Sequence, residues 1–252
     1  MYVQNQSLIN IKYESREIEK KRGSIRKSLI SRSPYITSGV ISRMAESDLE
    51  ILFNLYDETF FKKYFQEFFA GKLRFSLSTR MTRSAGKTSY PRKMWDLSPD
   101  QHEYEIRVGI GFFFNYNQLH RDKTVNGIKT KDALEALQLV FEHEIVHLIE
   151  LYCCGESSCR KERFKMMAKN IFGHTDSYHH LPTEKEIACT KYGFHAGDPV
   201  CFAYEGREYR GFIKQINKRA TVMVPDKGGP FQDQKGKRYN KWYIPIPLLK
   251  KL

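Results

Sequence analysis

The sequence predicts an α+β chain in two folded parts. Helices packed on a small mixed sheet come first, and a small all-β barrel of the SH3-like kind follows. Three observations carry this. Residues 132–152 contain no Gly or Pro and repeat apolar residues at helical spacing. Residues 104–116 alternate and then become continuously apolar, as a buried strand does. From Gly197 the texture changes to short apolar runs separated by Gly, Asn and Asp. The expected divisions are 1–45 for a basic arm, 46–195 for the mixed domain and 196–252 for the barrel.

Taken in order, residues 1–45 are polar and Ser-rich, with Lys20-Lys21-Arg22 and Arg26-Lys27. Clustered like charge disfavours a packed core, so an arm with at most a short helix is expected. Ser47 to Phe69 turns helical, with an aromatic stripe (Phe53, Tyr56, Phe60, Phe61, Phe65, Phe68 and Phe69) that reads as core. Leu73 to Trp95 reads as a hairpin turning at Gly86-Lys87. Residues 72–95 carry seven Lys and Arg and no acid, with Tyr90 and Trp95 interleaved. Such a surface suits phosphates and unstacked bases, which makes Arg80, Arg83, Lys87, Arg92 and Lys93 candidate nucleic-acid contacts. A sheet edge guarded by Lys and Arg has the same sequence. Gly86-Lys87-Thr88 is no phosphate loop, because the required first Gly falls at Met81.

The helix of 132–152 has Asp132 and Glu135 as a capping box. Leu134, Leu137, Phe141, Ile145 and Leu148 form its core face. Arg160 to Phe172 reads as a second helix, ended by Gly173. Thr183 to Tyr192 reads as a third, capped by Thr183 and Glu186. Five short strand candidates then run from Val200 to Ile244.

Within the first helix stands His143-Glu144-Ile145-Val146-His147. Two histidines four apart share one helix face about a turn from each other, so both imidazoles reach one Zn²⁺. Glu144 beside them is placed to act as general base toward water at the metal. With eight His and nineteen Glu, chance places this pattern in roughly two of a hundred such chains. A surface helix that happens to carry two histidines is the competing reading. The capped, gap-free, half-apolar helix argues against it.

Composition bounds the rest. At 40% hydrophobic and 13% aromatic the chain is folded. No apolar run approaches the roughly 20 residues of a membrane helix, and residues 1–11 lack a signal-peptide pattern. Five cysteines without framework spacing read as reduced thiols of a cytoplasmic protein. The net charge is +13. Residues 1–45 hold nine Lys and Arg against three acids, and residues 197–252 hold twelve against five. Residues 46–196 hold twenty-one of each, so all the excess lies in the flanks. Basic flanks around a neutral centre suggest a polyanion partner, most simply DNA, single-stranded DNA or RNA. Solubility alone is the other account of the charge.

The element order is an aromatic helix, a basic hairpin, an apolar strand, the HExxH helix and a second helix. With Tyr56-Asp57-Glu58-Thr59-Phe60-Phe61, Gly86, Ile106-Arg107-Val108 and His143-Glu144-Ile145-Val146-His147, this order resembles the SprT-like zinc metalloprotease family over roughly residues 46–180. That family includes Spartan-type proteases, which digest proteins crosslinked to DNA. Phe172-Gly173-His174-Thr175-Asp176 and a C-terminal stretch at Ile216 to Val222 also look like bacterial SprT-like proteins. The resemblance implies a zincin-like domain, a zinc endopeptidase and nucleic-acid-associated protein substrates. It further implies a third zinc-binding His opening the next helix, ahead of an aromatic residue.

Here Phe164 matches the aromatic, but Cys159-Arg160 stands where that His belongs. Arginine cannot ligate zinc, whereas Cys159 can as a thiolate, so the expected set is His143, His147 and Cys159. His174, Glu184 and Glu186 remain rivals for the third place. His174, Asp176, His179 and His180 are alternatively groups that orient ligands or cap helices. A separate zinc site at Cys153, Cys154 and Cys159 lacks the usual two-residue gap. The enzyme reading thus takes Zn²⁺ as cofactor, Glu144 as catalytic base, a protein substrate and no membrane. It expects a cytoplasmic or nucleoid-associated monomer. The alternative is a non-catalytic nucleic-acid-binding protein with a structural zinc. A small-molecule hydrolase leaves the basic flanks unexplained.

Overall fold

The computed structural model describes residues 7–91 and 93–252, Trp95 by its backbone alone. They form an α+β molecule of two compact units, one closing at Leu181 and one running from Pro182 to Leu252. No described helix is long and apolar enough to cross a membrane.

The first unit opens with α1, Ser15–Arg32, which buries Ile18, Arg22, Ile25 and Leu29. This is a helical stripe, and it corrects the expected arm with at most a short helix. The Lys and Arg residues of α1 sit mostly around that stripe, except Arg22, which is inside it. α2, Glu46–Phe60, carries the aromatic stripe inward. Lys62 and Lys63 then take left-handed conformations (φ 54° and 63°) that separate it from α3, Tyr64–Phe68. The buried Asp57 carboxylate accepts from the backbone N–H groups of Phe65 and Gln66, at 3.0 and 2.9 Å, and so caps α3.

The sheet consists of β1 (Lys72–Ser78), β2 (Gly86–Ser89) and β3 (Glu103–Gly109) in the order β1-β3-β2. β1 lies parallel to β3 and β2 antiparallel to it. The expected hairpin is therefore corrected: β1 and β2 do not pair, and Gly86-Lys87 begins a strand rather than a turn. β3 takes the centre because Tyr104, Ile106 and Val108 are its buried residues, while the basic strands fall at the edges. The strand expected to run to Tyr116 stops at Gly109. α4, Ile110–Phe114, follows with Phe112 and Phe113 buried.

β4 (Lys123–Val125) and β5 (Ile128–Thr130) form a hairpin. Its Asn126-Gly127 turn has φ of 52° and 80°, the pair of positive values a tight hairpin requires. α5, Ala133–Cys154, and α6, Glu162–Phe172, each end on a left-handed glycine, Gly155 and Gly173. One hydrophobic core joins α1, α2, the sheet, α5 and α6, with Tyr56, Phe60, Phe141 and Phe172 in ring contact.

The second unit starts with α7, Glu184–Tyr192, capped by Thr183 and ended by left-handed Gly193. β6 (Pro199–Tyr204), β7 (Arg207–Ile216), β8 (Ala220–Pro225), β9 (Phe231–Gln232), β10 (Arg238–Ile244) and β11 (Lys250–Lys251) follow. They make one antiparallel sheet in the order β11-β6-β7-β8-β10-β9. Val200, Phe202, Ile213, Val222 and Ile244 line its core, which Ala188 of α7 joins.

Candidate metal centre

The HExxH residues sit in the middle of α5. Its start is fixed by Asp132, whose carboxylate accepts the Glu135 N–H at 2.9 Å and pairs with Arg26 of α1 at 2.7 Å. The His143 and His147 rings lie one turn apart, edge to face, with centroids 4.9 Å from one another. After Gly155 the chain doubles back and brings Cys159 to them. One ligand-capable atom from each of His143, His147 and Cys159 lies within 4.8 Å of the others. A four-coordinate zinc sets such atoms about 3.3–3.6 Å apart at its preferred bond lengths, so the group needs about an ångström of closure. Phe164 of α6 packs on both imidazoles, at 4.8 and 4.4 Å.

Burial pushes His143 down to about 3, aided by the neighbouring His147, and pushes His147 down to about 4. Both rings are thus neutral near pH 7, the form that ligates metals. Among the described residues His143 Nδ1, like His174 Nδ1 and His179 Nδ1, is buried without a hydrogen-bond partner, and a buried polar atom of this kind calls for a ligand or a water. Two neutral imidazoles, one of them with an orphaned ring nitrogen, and a thiol fit zinc.

Glu144 points from α5 to β2. Thr88 Oγ1 donates to its Oε2 at 2.8 Å. Gly86 lies so close that a Cβ there would meet Glu144 Oε1 at 2.5 Å. Lys87, between them, is exposed. Burial pushes the Glu144 carboxyl up to about 7, against the smaller lowering effect of its Thr88 hydrogen bonds. A carboxyl in that range both takes and returns a proton near neutrality.

His174, the strongest rival ligand, is engaged elsewhere. It is buried, and its Nε2 lies 2.9 Å from Glu142 Oε2. Arg22 makes a two-pronged ion pair with the same carboxylate, 2.8 Å on each side, and also reaches Phe172 O. Tyr56 OH donates to Glu142 Oε1 at 2.7 Å. Burial alone would raise the Glu142 carboxyl, but Arg22 and His174 outweigh it and hold it at about 2. His180 is spent on Thr124 at 2.9 Å. Glu184 and Glu186 belong to α7 of the second unit and, like Cys153 and Cys154, are not part of the metal-capable group.

Of the candidate nucleic-acid residues, Arg80, Arg83, Lys87 and Lys93 are exposed, with Arg80 and Arg83 in the β1–β2 connection and Lys87 on β2. Arg92 lies outside the described residues. Sequence reasoning missed Thr88, Ser157 and Glu150 as partners of the motif. Glu150 had a signal available: it stands three residues past His147, on the same helix face. No family model, curated protein or solved structure matches this chain.

Proposed function

We propose that the chain is a zinc endopeptidase acting on nucleic-acid-associated proteins, DNA–protein crosslinks among them. Its first unit is then a zincin-like domain and its second an SH3-like barrel. The observation that carries this is a group of two histidines and a cysteine able to hold one ion, with the buried Glu144 carboxyl beside it. His143, His147 and Cys159 would hold the zinc, which when bound supplies the Lewis acidity that polarises a peptide carbonyl and acidifies water. Glu144 takes the proton from the attacking water and returns it to the leaving amine. Thr88 orients the Glu144 carboxyl through Oε2, and Gly86 leaves it room. β2 is an edge strand of its sheet, so its outer backbone groups offer an extended peptide a pairing edge beside Glu144. The exposed Arg80, Arg83, Lys87 and Lys93 would track phosphates near that edge and bring a nucleic-acid-bound protein to the cleft.

The test is metal analysis with a cleavage assay, with and without single-stranded DNA, on the wild type and Glu144→Gln. Zinc in both proteins with cleavage only in the wild type is expected, and DNA should stimulate it. Equal cleavage by the two proteins sinks the mechanism. Stoichiometric zinc with steeply salt-dependent DNA binding and no cleavage establishes instead the binding protein with a structural zinc.

A further inference from the structure

We propose that Glu150 and Ser157 form a clasp that sets His147 in its ligating tautomer and holds the turn carrying Cys159. This rests on the metal-centre reading above. Glu150 is fully buried on α5, one turn beyond His147. Its Oε2 accepts from the Ser157 hydroxyl at 2.6 Å and from the Ser158 N–H at 3.0 Å. Its Oε1 accepts from Arg163 Nε at 2.8 Å. All three donors come from the turn after Gly155 or the start of α6, so one carboxylate ties that segment back to the motif helix.

Ser157 Oγ also lies 2.7 Å from His147 Nδ1. A hydroxyl has one proton, and a carboxylate that already accepts from Arg163 Nε and the Ser158 N–H serves as an acceptor to Ser157 as well. The Ser157 proton therefore goes to Glu150, and Ser157 Oγ must accept from His147 Nδ1–H. That fixes the His147 proton on Nδ1 and leaves the Nε2 lone pair bare for a metal. His143 differs, since its Nδ1 has no hydrogen-bond partner among the described residues. Cys159 follows directly after Ser158, whose N–H the same carboxylate takes. Ser157 and Glu150 are positioning residues, acting through His147 and Cys159.

A staple that merely secured the turn would leave the imidazole proton where it was, and this separates the two roles. In the metal-free protein, long-range ¹H–¹⁵N spectra should show His147 as the Nδ1–H tautomer. Ser157→Ala should shift it toward Nε2–H, and Ser157→Thr, which restores a hydroxyl, should not. Titration with Co²⁺ should show Ser157→Ala binding about 10–100-fold more weakly and Ser157→Thr within a few-fold of wild type. Glu150→Gln should also lose the thiolate-to-cobalt absorption band, because the turn carrying Cys159 is released. An unchanged tautomer and unchanged Co²⁺ affinity in Ser157→Ala overturn the clasp. A retained thiolate band in Glu150→Gln overturns its hold on Cys159. If wild-type protein shows the Nδ1–H form but takes no Co²⁺, the metal centre falls while the clasp on His147 stands.

Discussion

Glu142 and Glu144 are two residues apart on one helix, both buried, and they lie in opposite kinds of surroundings. Glu142 faces the back of α5, where Arg22, His174 and Tyr56 converge on it, and Arg22 and His174 outweigh burial and hold it at about 2. Glu144 faces β2, where Thr88 supplies its hydrogen bonds, and burial lifts it to about 7. The difference separates scaffold from chemistry. A carboxylate locked in its ionised form fastens α1 to α5, and one left with few partners is available to exchange protons. His143 stands between them, so the rigid side supports the ligand and the sparse side serves it.

The comparison breaks most visibly under charge removal. Glu144→Gln is expected to lower peptide cleavage about 10²–10⁴-fold with zinc content retained. If the two glutamates were interchangeable in role, Glu142→Gln would do the same in a protein of unchanged stability. Arg22→Met attacks the other side. It strips Glu142 of its main counter-charge and is expected to cost about 3 kcal/mol in urea unfolding, the low end for breaking a buried pair because Arg22 is slightly exposed. A loss under about 1 kcal/mol would mean that α1 is not anchored through this pair.

Gly86→Ala sharpens the contrast, because it touches only the Glu144 side. The added Cβ would fall 2.5 Å from Oε1 and 2.7 Å from Cγ of Glu144. The carboxylate must swing away, and a displacement of about an ångström costs roughly 10–100-fold in cleavage. Urea unfolding should change by less than about 1 kcal/mol, since the atoms that must move belong to the Glu144 side chain and not to backbone. Full activity in Gly86→Ala would detach β2 from the site.

What the sequence disclosed about this arrangement divides along the same line. The motif face was legible because helix periodicity and capping are local: α5 begins at the Asp132 cap, and its core positions are those the spacing marks. Cys159 meets the two histidines because a turn of a few residues after Gly155 leaves little freedom. The back face was not legible. Arg22 reads as one charge in a basic cluster, and nothing near it in the chain reveals a glutamate 120 residues away. Its presence in the stripe of Ile18, Ile25 and Leu29 was the available sign. The order β1-β3-β2 escaped for a related reason: adjacency in sequence favours a hairpin, whereas burial of Tyr104, Ile106 and Val108 puts β3 in the middle.

The smallest effect follows from titrating the two faces of the metal-free protein. His143 and His147 ionise near their ordinary 6.5 when unfolded but only at about 3 and about 4 when folded. Below pH 6.5 the unfolded chain therefore binds more protons, and stability falls as pH drops toward 4. Glu142 adds to this loss between its ordinary 4.5 and about 2, because its ionised form is the stabilised one. Glu144 has the opposite sign. Its folded pKa is raised from 4.5 to about 7, so its contribution is present below 4.5 and is lost as pH rises through 7. Glu144→Gln, neutral at every pH, should thus be more stable than wild type above pH 7. The shift sets an upper bound of about 3 kcal/mol, and a difference of about 1 kcal/mol is expected. The advantage should shrink through pH 6 and vanish near 4.5, read by urea unfolding at each pH. A stability difference that stayed constant from pH 4 to 8 would show that the fold does not raise the Glu144 carboxyl, and the proposed division of labour along α5 would be lost.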